Sequence, residues 1–283
     1  MKNWLRKLLR IVFVVIFLIA IGQVIHLMLD NRDAEQANSH AQSIAGAIPT
    51  TTAETTTEPA PSTTEPKSTE TTPPETTPPE TTEATLPPDE NISYLQQLDI
   101  LALREVNKDV IGWIYIPDTK VNYPLLHTSD NERYLHTTWD GKYNAAGSIF
   151  LETQCSPYLT NFNTIIYGHN MGNGSMFAAL KLYRDYDFYE EHPYVYIVRH
   201  DAIYRYEVFS TYEAGVRTDT YRLRFTEHAK KQALYHYTNS SVWDAALTPT
   251  SDDLILTLST CTGTGRYETR WVVQAALDGK WNK

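Results

Sequence analysis

Residues 49–88 constrain the chain most, because they cannot fold. Thr, Pro and Glu dominate them, and Pro73-Pro74-Glu75-Thr76-Thr77 repeats at once as Pro78-Pro79-Glu80-Thr81-Thr82. With almost nothing apolar to bury, such a segment gains nothing to offset its ordering entropy and is expected to stay extended. At about 3.1 Å per residue in polyproline II it reaches on the order of 100 Å at most. It also holds most of the acidic balance. Residues 51–90 carry nine Asp or Glu against one Lys, a net of −8 within a chain total of −10. The charge therefore describes this stalk; the rest is nearly neutral and shows no electrostatic footprint for nucleic acid.

Before the stalk, Lys2, Arg6, Lys7 and Arg10 precede residues 11–29, which are apolar apart from Gly22, Gln23 and His26. That run is long enough to span a bilayer, and the basic residues ahead of it predict a cytoplasmic N-terminus. A cleaved secretory signal is the rival, since Ala20-Ile21-Gly22 is a passable cleavage site. The apolar core exceeds the roughly 7–15 residues of an ordinary signal, which favours an uncleaved anchor. The expected layout is a cytoplasmic N-terminus (1–10), a transmembrane signal anchor (11–29), a juxtamembrane segment (30–48), the disordered stalk (49–90) and a folded domain (91–283). The stalk leaves the height of that domain above the membrane open.

The domain of about 190 residues is large enough for one substantial core. Residues 92–106 read as an amphipathic helix, with Ile92, Leu95, Leu98, Ala102 and Val106 near helical spacing. Short β-rich runs follow at 112–116, 148–151, 163–167, 194–198 and 202–212, with a hairpin turn at Arg199-His200-Asp201. Ser175 is expected to cap a short helix to residue 183, and Thr226 and Glu227 to open another over 226–237. Many short strands with few helices predict a mostly β fold closed into a barrel.

The chemistry is carried by residues far apart in sequence. The run 254–258 reads as a buried strand leading to Cys261, and 270–277 as a second strand opening on Arg270. The Gly-bearing loop between them makes a hairpin that can set thiol and guanidinium side by side. Such a thiol is a candidate nucleophile; the alternative is a small buried hydrophobe. A third strand, 163–167, ends in Gly168-His169. Cys261, His169 and Arg270 together supply a nucleophile, an acid/base and an oxyanion partner. Arg266 competes with Arg270 for the last role. Cys155, the other cysteine, is either inert or a disulfide partner for Cys261. His127, His136, His192, His200, His228 and His236 lack paired metal-ligand spacing. Asp185-Tyr186-Asp187 resembles the acidic pair of a metal-dependent glycosyltransferase, but helix capping explains it better.

Tyr167-Gly168-His169, Leu258-Ser259-Thr260-Cys261 and Arg270-Trp271-Val272-Val273 resemble the signature segments of sortases, the cysteine transpeptidases of Gram-positive surfaces. Asp109-Val110-Ile111-Gly112-Trp113-Ile114, Asp130-Asn131-Glu132-Arg133-Tyr134-Leu135 and Ser175-Met176-Phe177 after Gly168-His169-Asn170-Met171 point to class B. The resemblance runs from about Ile92 to the C-terminus. It implies a closed sortase-type β-barrel with an N-terminal helix and a helix inserted between late strands. It implies Cys261 as nucleophile, His169 as acid/base and Arg270, which directly precedes the aromatic-Val-Val strand, as oxyanion partner. Asn131 and Leu135 match groove positions; Ser259 and Thr260 flank the nucleophile, and Tyr221 belongs to the same wall. The implied partners are secreted proteins bearing a C-terminal sorting signal, with an amine of a peptidoglycan precursor or a pilin as acceptor. No cofactor or metal is implied. The domain would stand outside the cell, tethered to the membrane. Cys155 and the long stalk depart from the family pattern. The rival readings are a type II membrane glycosyltransferase with a stem, a catalytically silent adhesion or scaffold domain, and a cysteine cell-wall hydrolase.

Overall fold

The computed structural model describes residues 2–47, 89–262 and 268–283. Residues 1–50 and 90–283 form one compact unit, and residues 51–89, nearly all outside the described residues, form the other. The first unit opens with helix α1 (Lys2–Ala45), which among the described residues is the one helix long and apolar enough to cross a membrane. Its apolar side chains from Ile11 to Leu29 are exposed. Residues 30–45, within the expected juxtamembrane segment (30–48), are the continuation of this helix. Beyond Asn31 they bury Ala34, Ala37, Ala41 and Ala45 against the rest of the unit.

The single helix expected over 92–106 is two, α2 (Glu90–Leu95) and α3 (Ile100–Val106). The break lies at Asp99, whose carboxylate accepts from Ala102 N at 2.9 Å as the N-cap of α3. A short acidic side chain at this position offers the backbone a cap in place of continued helix.

Eight strands then close a barrel. They are β1 (Val110–Tyr115), β2 (Asn122–Leu126), β3 (Ile149–Leu151), β4 (Asn163–Tyr167), β5 (Tyr194–Val198), β6 (Ala202–Gly215), β7 (Ile255–Cys261) and β8 (Thr269–Asn282), in the order β1-β2-β3-β4-β7-β8-β6-β5. The closed mostly β architecture is thus the one expected. Strand β2 is absent from the sequence reading because Pro124 interrupts it and a proline cannot donate to a ladder. Its pairing with β3 starts only at Leu125, one residue past the proline.

Period-two alternation divides the strands between two layers. Ile114, Val195, Ile197, Ile166, Leu256, Leu258 and Val273 share the interior cluster. Trp113, Tyr196 and Val198 point the other way, under α2, α3 and Ala37, Ala41 and Ala45 of α1. A third cluster lies beneath the late helix. The expected helix after Ser175 is a 3-10 helix, Phe177–Arg184, preceded by Met176 at φ 55°. The Ser175 hydroxyl donates to Asn173 Oδ1 at 2.7 Å and does not cap it. Asp185 caps the short helix α4 (Tyr186–Glu191) by accepting from Asp187 N, which accounts for the Asp-Tyr-Asp run. Helix α5 (Glu227–Ser240), capped by Thr226 as expected, is inserted between β6 and β7 and packs Ala233, Leu234 and Tyr237 against the barrel.

Asn163, at the start of β4 and fully buried, ties the barrel to the segment before α5. Its Nδ2 donates to the carbonyl oxygens of Thr220 at 2.9 Å and Arg222 at 3.1 Å, and its Oδ1 accepts from Thr257 Oγ1 at 2.7 Å. Asn163→Leu keeps the volume and strands these partners without water. We expect a loss of about 2–4 kcal/mol, read as a lower urea midpoint; an unchanged midpoint would mean the network contributes nothing net.

Candidate active site

The site is built by strand register. Strands β4 and β7 run parallel, with Asn163 opposite Ile255 and Tyr167 opposite Ser259. His169 and Cys261 each lie two residues beyond that last pair, so both emerge at the same rim of the barrel. Past the ladder, Gly168 N donates to Ser259 O at 3.2 Å and Asn170 Nδ2 to Cys261 O at 2.8 Å, keeping the two strand ends together. Strands β7 and β8 are antiparallel, and Cys261 pairs directly with Arg270. The hairpin expectation for these two residues holds.

Gly168 serves packing here. A Cβ there would lie 2.4 Å from Ile149 Cδ1 and 2.8 Å from the Phe177 ring. Phe177 N in turn donates to His169 O at 2.8 Å. Only a glycine lets the strand pass this close to the 3-10 helix.

A cleft of about 460 Å³ opens at this rim, and all eight residues singled out from the sequence line it. His169, Cys261 and Arg270 stand at the strand ends. Ser259, Thr260 and Tyr221 form one wall, where Tyr221 and Ser259 join hydroxyl to hydroxyl at 2.9 Å. Asn131 and Leu135 form the other, around the 3-10 turn Arg133–Leu135. Arg266 lies outside the described residues. Cys261 is exposed and unpaired, so the buried-hydrophobe alternative does not describe it.

Sequence reasoning missed Glu152, which is 5% exposed and sits behind the Asn131 wall. Its Oε2 accepts from Asn131 Nδ2 at 2.7 Å and from Tyr167 OH at 2.9 Å, while Asn131 Oδ1 accepts from Thr153 N at 2.9 Å. These bonds fix which end of the Asn131 amide is donor and which acceptor, and hold it at the cleft. His136, set aside in the sequence for want of metal-ligand spacing, also borders the site. Its ring stacks 6.1 Å from that of His169, at 26°.

His169 Nε2 lies 2.8 Å from Leu135 O. A carbonyl oxygen only accepts, so Nε2 carries a hydrogen and, in the neutral ring, Nδ1 keeps a lone pair. Burial holds the imidazole below its ordinary pKa; the Leu135 carbonyl opposes this, while His136 and Arg270 reinforce it. Near neutral pH the ring is therefore uncharged and able to take a proton. Burial also pushes the Tyr221 hydroxyl up, against the pull of Ser259 and Arg270.

The family model for the sortase domain matches residues 114–278, the stretch that includes the whole cleft. The chain belongs to the sortase family. A sortase B of Listeria monocytogenes is 38% identical over 180 residues, covering 62% of this chain and 72% of that one. A sortase B of Staphylococcus aureus is 32% identical over 176 residues, with the same coverage. Among solved structures, the S. aureus sortase B–substrate complex superposes with a TM-score of 0.60 at 32% identity, over 63% of this chain and 84% of that one. A sortase B complexed with triglycine gives the same TM-score, identity and coverage. The chain is a class B sortase and a cysteine transpeptidase, and neither the glycosyltransferase nor the scaffold reading is supported.

Cys155 contrasts with Cys261. It is buried beside β4 with its Sγ 3.6 Å from Asn163 O, and burial pushes its thiol up to about 11. Both thiols are free. Under native conditions one equivalent of iodoacetamide should add at Cys261, and the second only after denaturation, as followed by intact mass. A protein that takes up no label until it is reduced would instead carry the Cys155–Cys261 bridge.

Proposed function

We propose that this sortase cleaves a C-terminal sorting signal with Cys261, His169 and Arg270 and passes the acyl group to a primary amine. The main support is the shared rim: in-register β4 and β7 carry His169 and Cys261, and the β7–β8 ladder adds Arg270. Cys261 Sγ attacks the carbonyl carbon of a Thr–Gly-type bond as the thiol proton passes to His169 Nδ1. Arg270 faces the oxyanion, a contribution of roughly 3 kcal/mol at comparable single-donor sites. Collapse expels the downstream amine, which takes its proton from His169. The incoming amine then attacks the thioester, gives a proton to His169 and releases Cys261. The upstream peptide lies between the Asn131–Leu135 wall and the Tyr221–Ser259–Thr260 wall.

The acceptor is a Gly-rich or lysine-type amine on a cell-wall precursor or a pilin; the related triglycine complex supports the Gly-rich form. Residues 1–10 lie in the cytoplasm, 11–29 form an uncleaved single-pass anchor, and 91–283 are the extracellular catalytic domain. The unbroken run of α1 from the apolar stretch to Ala45 supports retention of the anchor. Mass spectrometry with a panel of sorting peptides should show an adduct that disappears in Cys261→Ala and is resolved to a ligated product by triglycine or a lysine amine. Arg270→Ala should slow adduct formation about a hundredfold or more, and Arg266→Ala far less. No adduct with any peptide, or release by water as fast as by amine, would refute transpeptidation at this site; the reverse order of the two arginine variants would reassign the oxyanion partner.

A further inference from the structure

The apolar stretch of α1 ends at Leu29, and the next residue is already fastened to the catalytic unit. Asn144 Nδ2 donates to Asp30 O at 2.8 Å. Two turns further on, Trp139 Nε1 donates to Ala37 O at 2.6 Å. Gln42 Nε2 donates to Asn122 O on β2 at 3.2 Å, and Asp99 N to Ala45 O at 3.0 Å. Between these bonds Ala34, Ala37, Ala41 and Ala45 recur every three or four residues, so their methyl groups form one buried face. Small side chains let the helix backbone approach the barrel closely. Because α1 is one helix from Lys2 to Ala45, no joint separates the apolar stretch from the docked one.

The same contacts set which part of the barrel lies nearest the apolar stretch of α1. The segment touching Asp30 is a tight hairpin over residues 137–144, closed by a bridge between Thr137 and Tyr143 and by Thr138 N donating to Lys142 O at 2.8 Å. Tyr143, in the pair that closes the hairpin, is 83% exposed. Its ring is 6.2 Å from that of His136, which is 6.1 Å from that of His169. The catalytic rim thus stands two ring-to-ring steps from the residue next to Asn144. Tyrosine is a side chain suited to the bilayer interface, with an apolar body and a hydroxyl tip.

We propose that the barrel is mounted directly on the bilayer surface through α1, with the hairpin 137–144 in the lipid headgroup layer and the His169 side of the cleft just above it. The path from membrane to barrel is then complete before residue 48, and the Thr/Pro/Glu segment does not set the working height. Both flanks of that segment belong to the same cluster, Ala47 before it and Ile92 and Leu95 of α2 after it. Substrates are accordingly those presented at the bilayer surface. The inference rests on α1 being an uncleaved anchor.

The test uses the full chain in phosphatidylcholine–phosphatidylglycerol vesicles, in a Cys261→Ser background, with a nitroxide at Tyr143→Cys or at Tyr235→Cys. Tyr235 is 72% exposed on α5, which packs on β6, three strands round the barrel from β2. Nickel-chelating headgroup lipids should accelerate relaxation several-fold more at position 143 than at 235. The contrast should persist when residues 49–88 are replaced by a short Gly/Ser linker. Equal relaxation at both positions, or a contrast that depends on residues 49–88, would overturn the mount while flotation with the vesicles left the anchor standing. Failure to float would overturn both.

Discussion

The parallel ladder between β4 and β7 is the interaction on which the rest of the molecule depends. It joins Asn163–Tyr167 to residues 255–259, 92 positions later in each pair, so β5, β6 and α5 all lie within the loop it closes. A one-residue slip would turn His169 or Cys261 to the opposite face of its strand. Two features oppose slippage. The buried Asn163 side chain joins Thr257 across the ladder, and at the other end Asn170 holds the Cys261 carbonyl. The proposed reacting groups therefore sit on the ends of rigid strands, an arrangement that preorganises a site better than loops do.

Much of this was legible in the residues. The strands 163–167 and 194–198 announce themselves by apolar runs, and Thr226 marks the start of α5 as a capping residue should. The pairing of Cys261 with Arg270 follows from hairpin geometry. The parallel neighbour of β7 does not, because no local pattern states which distant strand completes a barrel. The Gly-His strand end hinted at it only through the chemistry a thiol requires. Glu152 was illegible for a related reason: a single acid after Phe150-Leu151 reads as solvated until the fold brings Asn131 and Tyr167 to it.

The N-terminal helix shows a different kind of concealment. Residues 30–45 are rich in Asn, Asp, Glu, Gln and Ser, so hydropathy gives a connector. Their burial runs through alanine methyls at helical spacing and through backbone carbonyls that accept from Trp139 and Asn144. The spacing of Ala34, Ala37, Ala41 and Ala45 was the available signal; its weakness lies in how little apolar area an alanine offers. The break at Asp99 belongs with it, since the same residue that caps α3 also donates its backbone N–H to the end of α1.

The proposed chemistry stands or falls on Cys261 carrying the acyl group between two separate halves of one reaction. Rapid-quench kinetics reach this step, by following release of the downstream fragment at several amine concentrations. A covalent intermediate predicts a first-turnover release rate independent of amine, with a burst of fragment equal to the enzyme when aminolysis is the slower half. A first-turnover rate that itself scales with amine would place the amine in the first transition state and contradict a Cys261-bound intermediate.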